Sequence, residues 1–138
     1  PLANRIGQAL ATNPPLPGKG GYLQREAEIE EFLEQALKAG NTGLIEAMTM
    51  AFADAQDWYF CHKLIEGTAV SQTVEIHVAN AAMNARHLGG ESGDYFHLLT
   101  ILAKKHTDVR EWCQRIRQRE QPGSILADNM DLVLAGRA

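Results

Sequence analysis

The sequence predicts an all-α fold, a compact bundle of about six helices. Apolar residues recur at three- and four-residue steps along most of the chain, which is the spacing of a buried helix face. Capping and helix-breaking residues divide these stretches at short intervals. Because 45% of the 138 residues are hydrophobic and 22% are charged, the composition is that of a globular protein able to bury a core.

The first 21 residues are set apart by their composition. Residues 13–21 contain three prolines and three glycines, which is typical of an exposed arm or linker. We therefore predict an N-terminal arm over residues 1–21 and one helical domain over residues 22–138. The length of the second segment is that of a single domain.

A helical hairpin is predicted at the start of this domain. Its first helix covers about residues 23–39 and is rich in glutamate. Gly40 suits the left-handed backbone position that follows a helix. Asn41 or Thr42 can cap the second helix through a side-chain oxygen.

The second helix is predicted to contain an aromatic run. Its apolar spacing continues to Ile65, a length that predicts a kink near residues 56–57. Trp58, Tyr59 and Phe60 are consecutive and sweep about one helical turn, so at least one ring should face away from the core. We predict that these three rings form an interaction patch, either for a protein partner or for self-association as a homodimer.

Residues 71–78 allow two interpretations. Val74, Ile76 and Val78 alternate with polar residues, which is typical of a strand. A helix capped by Thr73 also places apolar residues on one face. We favour the helix, because no other part of the chain offers a strand for pairing.

Three further helices are predicted in the C-terminal half. Ser92 or Asp94 can cap the first, which follows a glycine-rich turn. Thr107 can cap a helix over residues 108–119, and a Pro-Gly break then precedes a short last helix over residues 124–134. With the earlier segments, these complete the predicted bundle.

Charge and hydropathy narrow the possible partners. The net charge of −4 argues against non-specific coating of nucleic acid. Basic residues concentrate in residues 104–119, which can orient the molecule on a charged partner. No apolar run approaches the length of a membrane span, and we recognise no secretory signal, so we expect a cytoplasmic protein with no membrane partner. We expect Cys61 and Cys113 to be reduced, buried thiols.

Histidines raise the question of a metal site. His62 and Glu66 stand four residues apart on a predicted helix, and His77 lies beyond the following turn, so these three could supply ligands. The chain has no His-Glu-x-x-His and no Glu-x-x-His motif. We therefore predict no metal site and no cofactor. Since no catalytic motif is present either, we favour a non-catalytic protein, with an enzyme left open.

Two blocks of sequence resemble a known family. Residues 22–56 have a Tyr-Leu pair, an acidic helix, a Gly-Asn turn and an Ala-rich helix. Residues 87–102 read His-Leu-Gly-Gly-Glu-Ser-Gly-Asp-Tyr-Phe followed by an apolar helix. Both blocks are similar to the addiction-module antidote proteins, small helix-turn-helix antitoxins of bacterial toxin–antitoxin pairs. The resemblance covers under half of the chain.

The resemblance implies a divergent helix-turn-helix and a DNA-binding transcriptional regulator. On that expectation Asn80, Asn84 and Arg86 would enter the major groove, and Lys104 and Lys105 would contact phosphates. A homodimer would be expected, because one small module buries little surface on DNA. The alternative is a non-catalytic helical adaptor that binds a protein partner. A metal-dependent enzyme comes third.

Overall fold

The computed structural model describes residues 30–31, 33–85 and 88–138. The predicted arm over residues 1–21 lies outside the described residues, as do Arg86 and His87. The helices are α1 (residues 30–38, of which 32 is not described), α2 (Thr42–Asp54), α3 (Trp58–Gly67), α4 (Gln72–Met83), α5 (Gly93–Lys105), α6 (Thr107–Arg119) and α7 (Ile125–Leu134). A short 3₁₀ turn, Leu88–Gly90, joins α4 to α5. This part of the chain contains no strand, and the predicted all-α bundle is confirmed.

The turn between α1 and α2 has the predicted form. Gly40 adopts a left-handed conformation with φ of 63°. The Asn41 side chain accepts a hydrogen bond from Leu44 N at 3.1 Å and so caps α2. Of the two candidate caps, Asn41 is therefore the one used.

The long helix with a kink is replaced by two separate helices, α2 and α3. Gln56 takes a left-handed φ of 59°, which interrupts the helix. Asp57 then caps α3 by accepting a hydrogen bond from Phe60 N. The apolar spacing continues across this break because both helices face the same core, and spacing alone does not reveal such a break.

The ambiguous segment is helical, as favoured from the sequence. Ser71, not Thr73, caps α4 through Val74 N. Val74 and Val78 are buried, whereas Ile76 between them is 46% exposed. The strand-like alternation therefore arises from one apolar residue on the solvent face of a helix.

Helix α5 lies at the centre of the described bundle. It packs against α3, α4, α6 and α7, while α2 packs against α3 and α4. Leu98, Leu99 and Leu102 of α5 are fully buried. Cys61 and Cys113 are buried and unpaired, as expected. None of the helices described is long and apolar enough to cross a membrane.

Candidate functional site

Four polar side chains meet where α3 packs against α5. His62 and Glu66 are one turn apart on α3, and Asp94 and His97 are one turn apart on α5. Residues three or four apart project from the same face of a helix. Each helix therefore presents one imidazole and one carboxylate to the other.

The Glu66 carboxylate is the centre of this cluster. Glu66 Oε1 lies 3.1 Å from His62 Nδ1 and accepts a direct hydrogen bond from His97 Nε2. The two imidazole rings meet edge to face, with centroids 4.8 Å apart. One donor atom from each of His62, Glu66 and His97 lies within 4.8 Å of the others.

The outer nitrogen of each ring also has a partner. His62 Nε2 lies 3.0 Å from Asp94 Oδ1. His97 Nδ1 lies 3.0 Å from the backbone oxygen of Ala138. These contacts fix the orientation of both imidazoles, so that the remaining nitrogen of each ring faces Glu66.

The site lies at the surface rather than in the core. The side chain of His62 is 16% exposed and that of His97 is 39% exposed. The hydrogen bond to the Ala138 carbonyl raises the pKa of His97, partial burial opposes this, and Glu66 and Asp94 raise it further. The site therefore favours a cation, either a proton or a metal ion.

His77 is not part of the cluster. Its Nε2 atom lies 2.7 Å from Asp54 Oδ1, in a pair that joins α4 to α2. The second imidazole of the cluster, beside His62 and Glu66, is that of His97, which the sequence reasoning missed. The available signal was Asp94-x-x-His97, an acid and a histidine on one helix face, which has aspartate in place of the glutamate of a Glu-x-x-His motif.

Of the residues predicted to contact DNA, the four that the structure describes form two groups, one near the end of α4 and one at the end of α5. Asn80 and Asn84 are exposed, and Asn84 Nδ2 donates to the Asn80 carbonyl at 2.7 Å. Lys104 and Lys105 are exposed at the end of α5, where Lys105 pairs with Glu75 at 3.0 Å.

Helices α4 and α5 run antiparallel, which separates these two groups. Glu75 at the start of α4 meets the end of α5, and the hydroxyl of Tyr95 at the start of α5 donates to the Ala82 carbonyl near the end of α4. Ten residues of helix, about 15 Å, separate Tyr95 from Lys105. With Arg86 outside the described residues, DNA binding stays a prediction.

The aromatic run does not form the expected patch. Trp58 and Phe60 are buried, at 4% and 1% exposure, and only Tyr59 is partly exposed. Trp58 Nε1 also donates to Glu91 Oε2 at 3.0 Å. Trp58 and Phe60 therefore belong to the core and are not available to a partner, which corrects the expectation of a surface made by all three rings. The adaptor function stays a prediction.

Comparison with known proteins does not indicate a function for this site. Comparison of the chain with protein-family models, with curated proteins and with solved structures gives no match.

Proposed function

We propose that this is a metal-binding protein that holds one divalent transition-metal ion between α3 and α5. The ligands are His62 Nδ1, Glu66 Oε1 and His97 Nε2, whose donor atoms are clustered within 4.8 Å. Two imidazoles and one carboxylate are a donor set used for both Zn²⁺ and Fe²⁺.

The outer hydrogen bonds of the two rings are the observation that carries this proposal. The acceptors Asp94 Oδ1 and the Ala138 carbonyl each favour a proton on the ring nitrogen that faces them. In a neutral imidazole the nitrogen facing Glu66 is then unprotonated, which is the form that binds a metal. A carboxylate or carbonyl behind each ligating histidine is the usual support of a protein metal site.

The distances also suit a metal ion. Tetrahedral ligands about 2.1 Å from zinc are about 3.4 Å from one another. His62 Nδ1 and Glu66 Oε1, at 3.1 Å, are already close to that separation. The ion would replace the proton that His97 Nε2 donates to Glu66, so metal binding would release a proton.

Three protein ligands leave one coordination position open. Closed structural zinc sites use four protein ligands, whereas sites with three keep a position for water or another small ligand. The exposure of Glu66, 45%, gives such a ligand access from solvent. An ion held here could lower the pKa of its bound water.

Metal titration of the full chain tests the proposal. We expect one equivalent of Zn²⁺ or Co²⁺ to bind, measured by calorimetry, and the Co²⁺ form to show the intense visible absorption of a tetrahedral site. His97→Ala should weaken binding about a hundredfold or more by removing a ligand. Asp94→Asn should weaken it about 10- to 100-fold, because the carboxylate supports His62 from behind.

His77→Ala is the matched control, since it removes an imidazole that pairs with Asp54 outside the cluster. It should bind metal as the wild type does. Equal affinity of the wild type and His97→Ala would show that the ion binds elsewhere and would overturn the proposal. Equal losses from His97→Ala and His77→Ala would do the same.

A further inference from the structure

The arginines of α6 divide into two pairs that face different surroundings. Arg110 donates to the Leu134 carbonyl at 3.2 Å, and Arg117 pairs with Asp131 at 2.7 Å, so both hold α7. Arg115 and Arg119 are exposed and form no ion pair or hydrogen bond with the residues described. Two guanidinium groups on one exposed face are therefore left for an external anion.

The unpaired arginines line a groove that also contains a tryptophan. The groove has a volume of about 300 Å³, and its lining includes Trp112, Arg115, Ile116 and Arg119. Ile116 is buried and forms part of the floor, while Trp112 is half-buried. Unlike Trp58, Trp112 has no ring contact and no hydrogen bond to any residue in the described segments.

We propose that this groove binds a nucleoside phosphate, with the base against Trp112 and the phosphate between Arg115 and Arg119. Stacking on an aromatic ring is a sequence-tolerant way to bind a base. The planar guanidinium group is suited to bidentate contact with phosphate oxygens. The groove offers both chemistries side by side, and its volume is at the lower end of the range for small-molecule sites.

The spacing along α6 fits such a ligand. Arg115 and Arg119 follow Trp112 by three and seven residues, so all three lie on one helix face. They are displaced from Trp112 by roughly 5 and 10 Å along the helix axis. A nucleoside phosphate that stacks on the ring can therefore reach either guanidinium group with its phosphate. This site is on α6 and does not depend on the metal ligands of α3 and α5.

A titration of the full chain with adenosine monophosphate, followed by NMR, tests the proposal. The two indole N–H signals belong to Trp58 and Trp112, and Trp112→Phe assigns them. We expect a saturable shift of the Trp112 signal at submillimolar ligand, with the Trp58 signal unchanged as an internal reference. No shift of the Trp112 signal at millimolar ligand would overturn the proposal.

Two double variants distinguish binding in the groove from general attraction to the positive charge of α6. Arg115→Gln with Arg119→Gln should weaken binding about tenfold or more, since two charge-assisted contacts are lost. Arg110→Gln with Arg117→Gln removes the same charge from the same helix and should leave the affinity within about twofold. Equal losses in the two double variants would overturn the proposal.

Further ligands identify the source of the phosphate group. Adenosine alone and inorganic phosphate alone should each bind more weakly than adenosine monophosphate, because each meets only part of the groove. Binding of either one as tight as that of the nucleotide would overturn the proposal. If a single-stranded oligonucleotide binds more tightly per site than the mononucleotide, the nucleotide unit comes from a strand. Tighter binding of the mononucleotide identifies a free nucleotide. Either result supports a site that stacks a base on Trp112 and binds its phosphate.

Discussion

His97 couples the candidate site to pH. Its pKa is raised above the ordinary value of 6.5 by the Ala138 carbonyl, against the effect of burial, and further by Glu66. The folded protein thus binds this proton more tightly than the unfolded chain does. The resulting stabilisation is fully present below about pH 6.5 and is lost as the pH rises through the raised pKa.

We therefore expect the unfolding free energies of wild type and His97→Gln to differ most at acidic pH. In the metal-free protein, the free energy of unfolding of the wild type should exceed that of His97→Gln at about pH 5.5, and the gap should narrow by about pH 8. Urea unfolding at the two pH values measures both gaps. A gap of the same size at both would mean that the charge of His97 contributes nothing to stability.

Tyr95 provides a buried hydrogen bond between α5 and α4. It is fully buried, and its hydroxyl donates to the Ala82 carbonyl at 2.6 Å. Burial raises its pKa, with a further contribution from the charge of Glu91, so the phenol keeps its proton at neutral pH. We expect Tyr95→Phe to cost about 0.5–1.5 kcal/mol of unfolding free energy, because a buried hydrogen bond is lost while the Ala82 carbonyl keeps its bond from Ala85 N.

Tyr59→Phe is the matched control for this change. Tyr59 is only partly buried and its ring lies under Lys63 Nζ, 5.4 Å from the ring centroid. Removing its hydroxyl should therefore cost less unfolding free energy than removing that of Tyr95. If urea unfolding gives equal costs for the two substitutions, the hydrogen bond to Ala82 does not contribute beyond the effect of a surface hydroxyl.

At the scale of single helices, two serines show whether a helix end is stabilised by the side-chain hydrogen bond of its cap or only by having a serine at that position. Ser124 accepts a hydrogen bond from Ala127 N at 3.1 Å and caps α7. Ser92 stands at the same position before α5 but makes no side-chain hydrogen bond. Ser124→Ala should cost about 1 kcal/mol, and Ser92→Ala close to nothing. Thermal or urea unfolding of both variants tests this, and similar costs would contradict the assignment of the cap.

Helix positions could be predicted from the sequence, because spacing and caps are local signals. Gly40 and Asn41 act at helix ends as expected from their side chains and backbone preferences. Side-chain partners could not be predicted in the same way. Glu46 lies in α2, but its carboxylate pairs with Ser71 before α4. Hydrogen bonds from the Ser71 side chain and from Ser71 N, the latter at 2.8 Å, lower the pKa of Glu46.

In the candidate site, too, local relations could be predicted from the sequence and tertiary contacts could not. The spacing of His62 and Glu66 is local, so the sequence could place both on one helix face. The choice between His77 and His97 as the second imidazole depends on which helix packs beside α3, and that is a tertiary contact. Burial of Trp58 and Phe60 is likewise decided by how α3 is rotated against α2 and α5.

For the whole molecule, the candidate metal site ties together elements that are distant in the sequence. Glu66 and His97 are 31 residues apart and lie on α3 and α5. Since α5 also packs against α4, α6 and α7, fixing α3 to it restrains most of the described bundle. An ion bound here would stabilise the folded state as a unit, because the ligands are brought together only on folding.

Metal should therefore raise the unfolding temperature of the whole bundle. At a free Zn²⁺ concentration a hundred times Kd, binding adds about 2.7 kcal/mol to the folded state. Thermal unfolding of Trp112→Phe, which leaves the buried Trp58 as the single tryptophan, should show the same upward shift by far-UV circular dichroism and by fluorescence. His77→Ala should keep this shift and His97→Ala should lose it. A shift that survives in His97→Ala, or one seen by only one probe, would mean that the metal does not act through a bridge between α3 and α5.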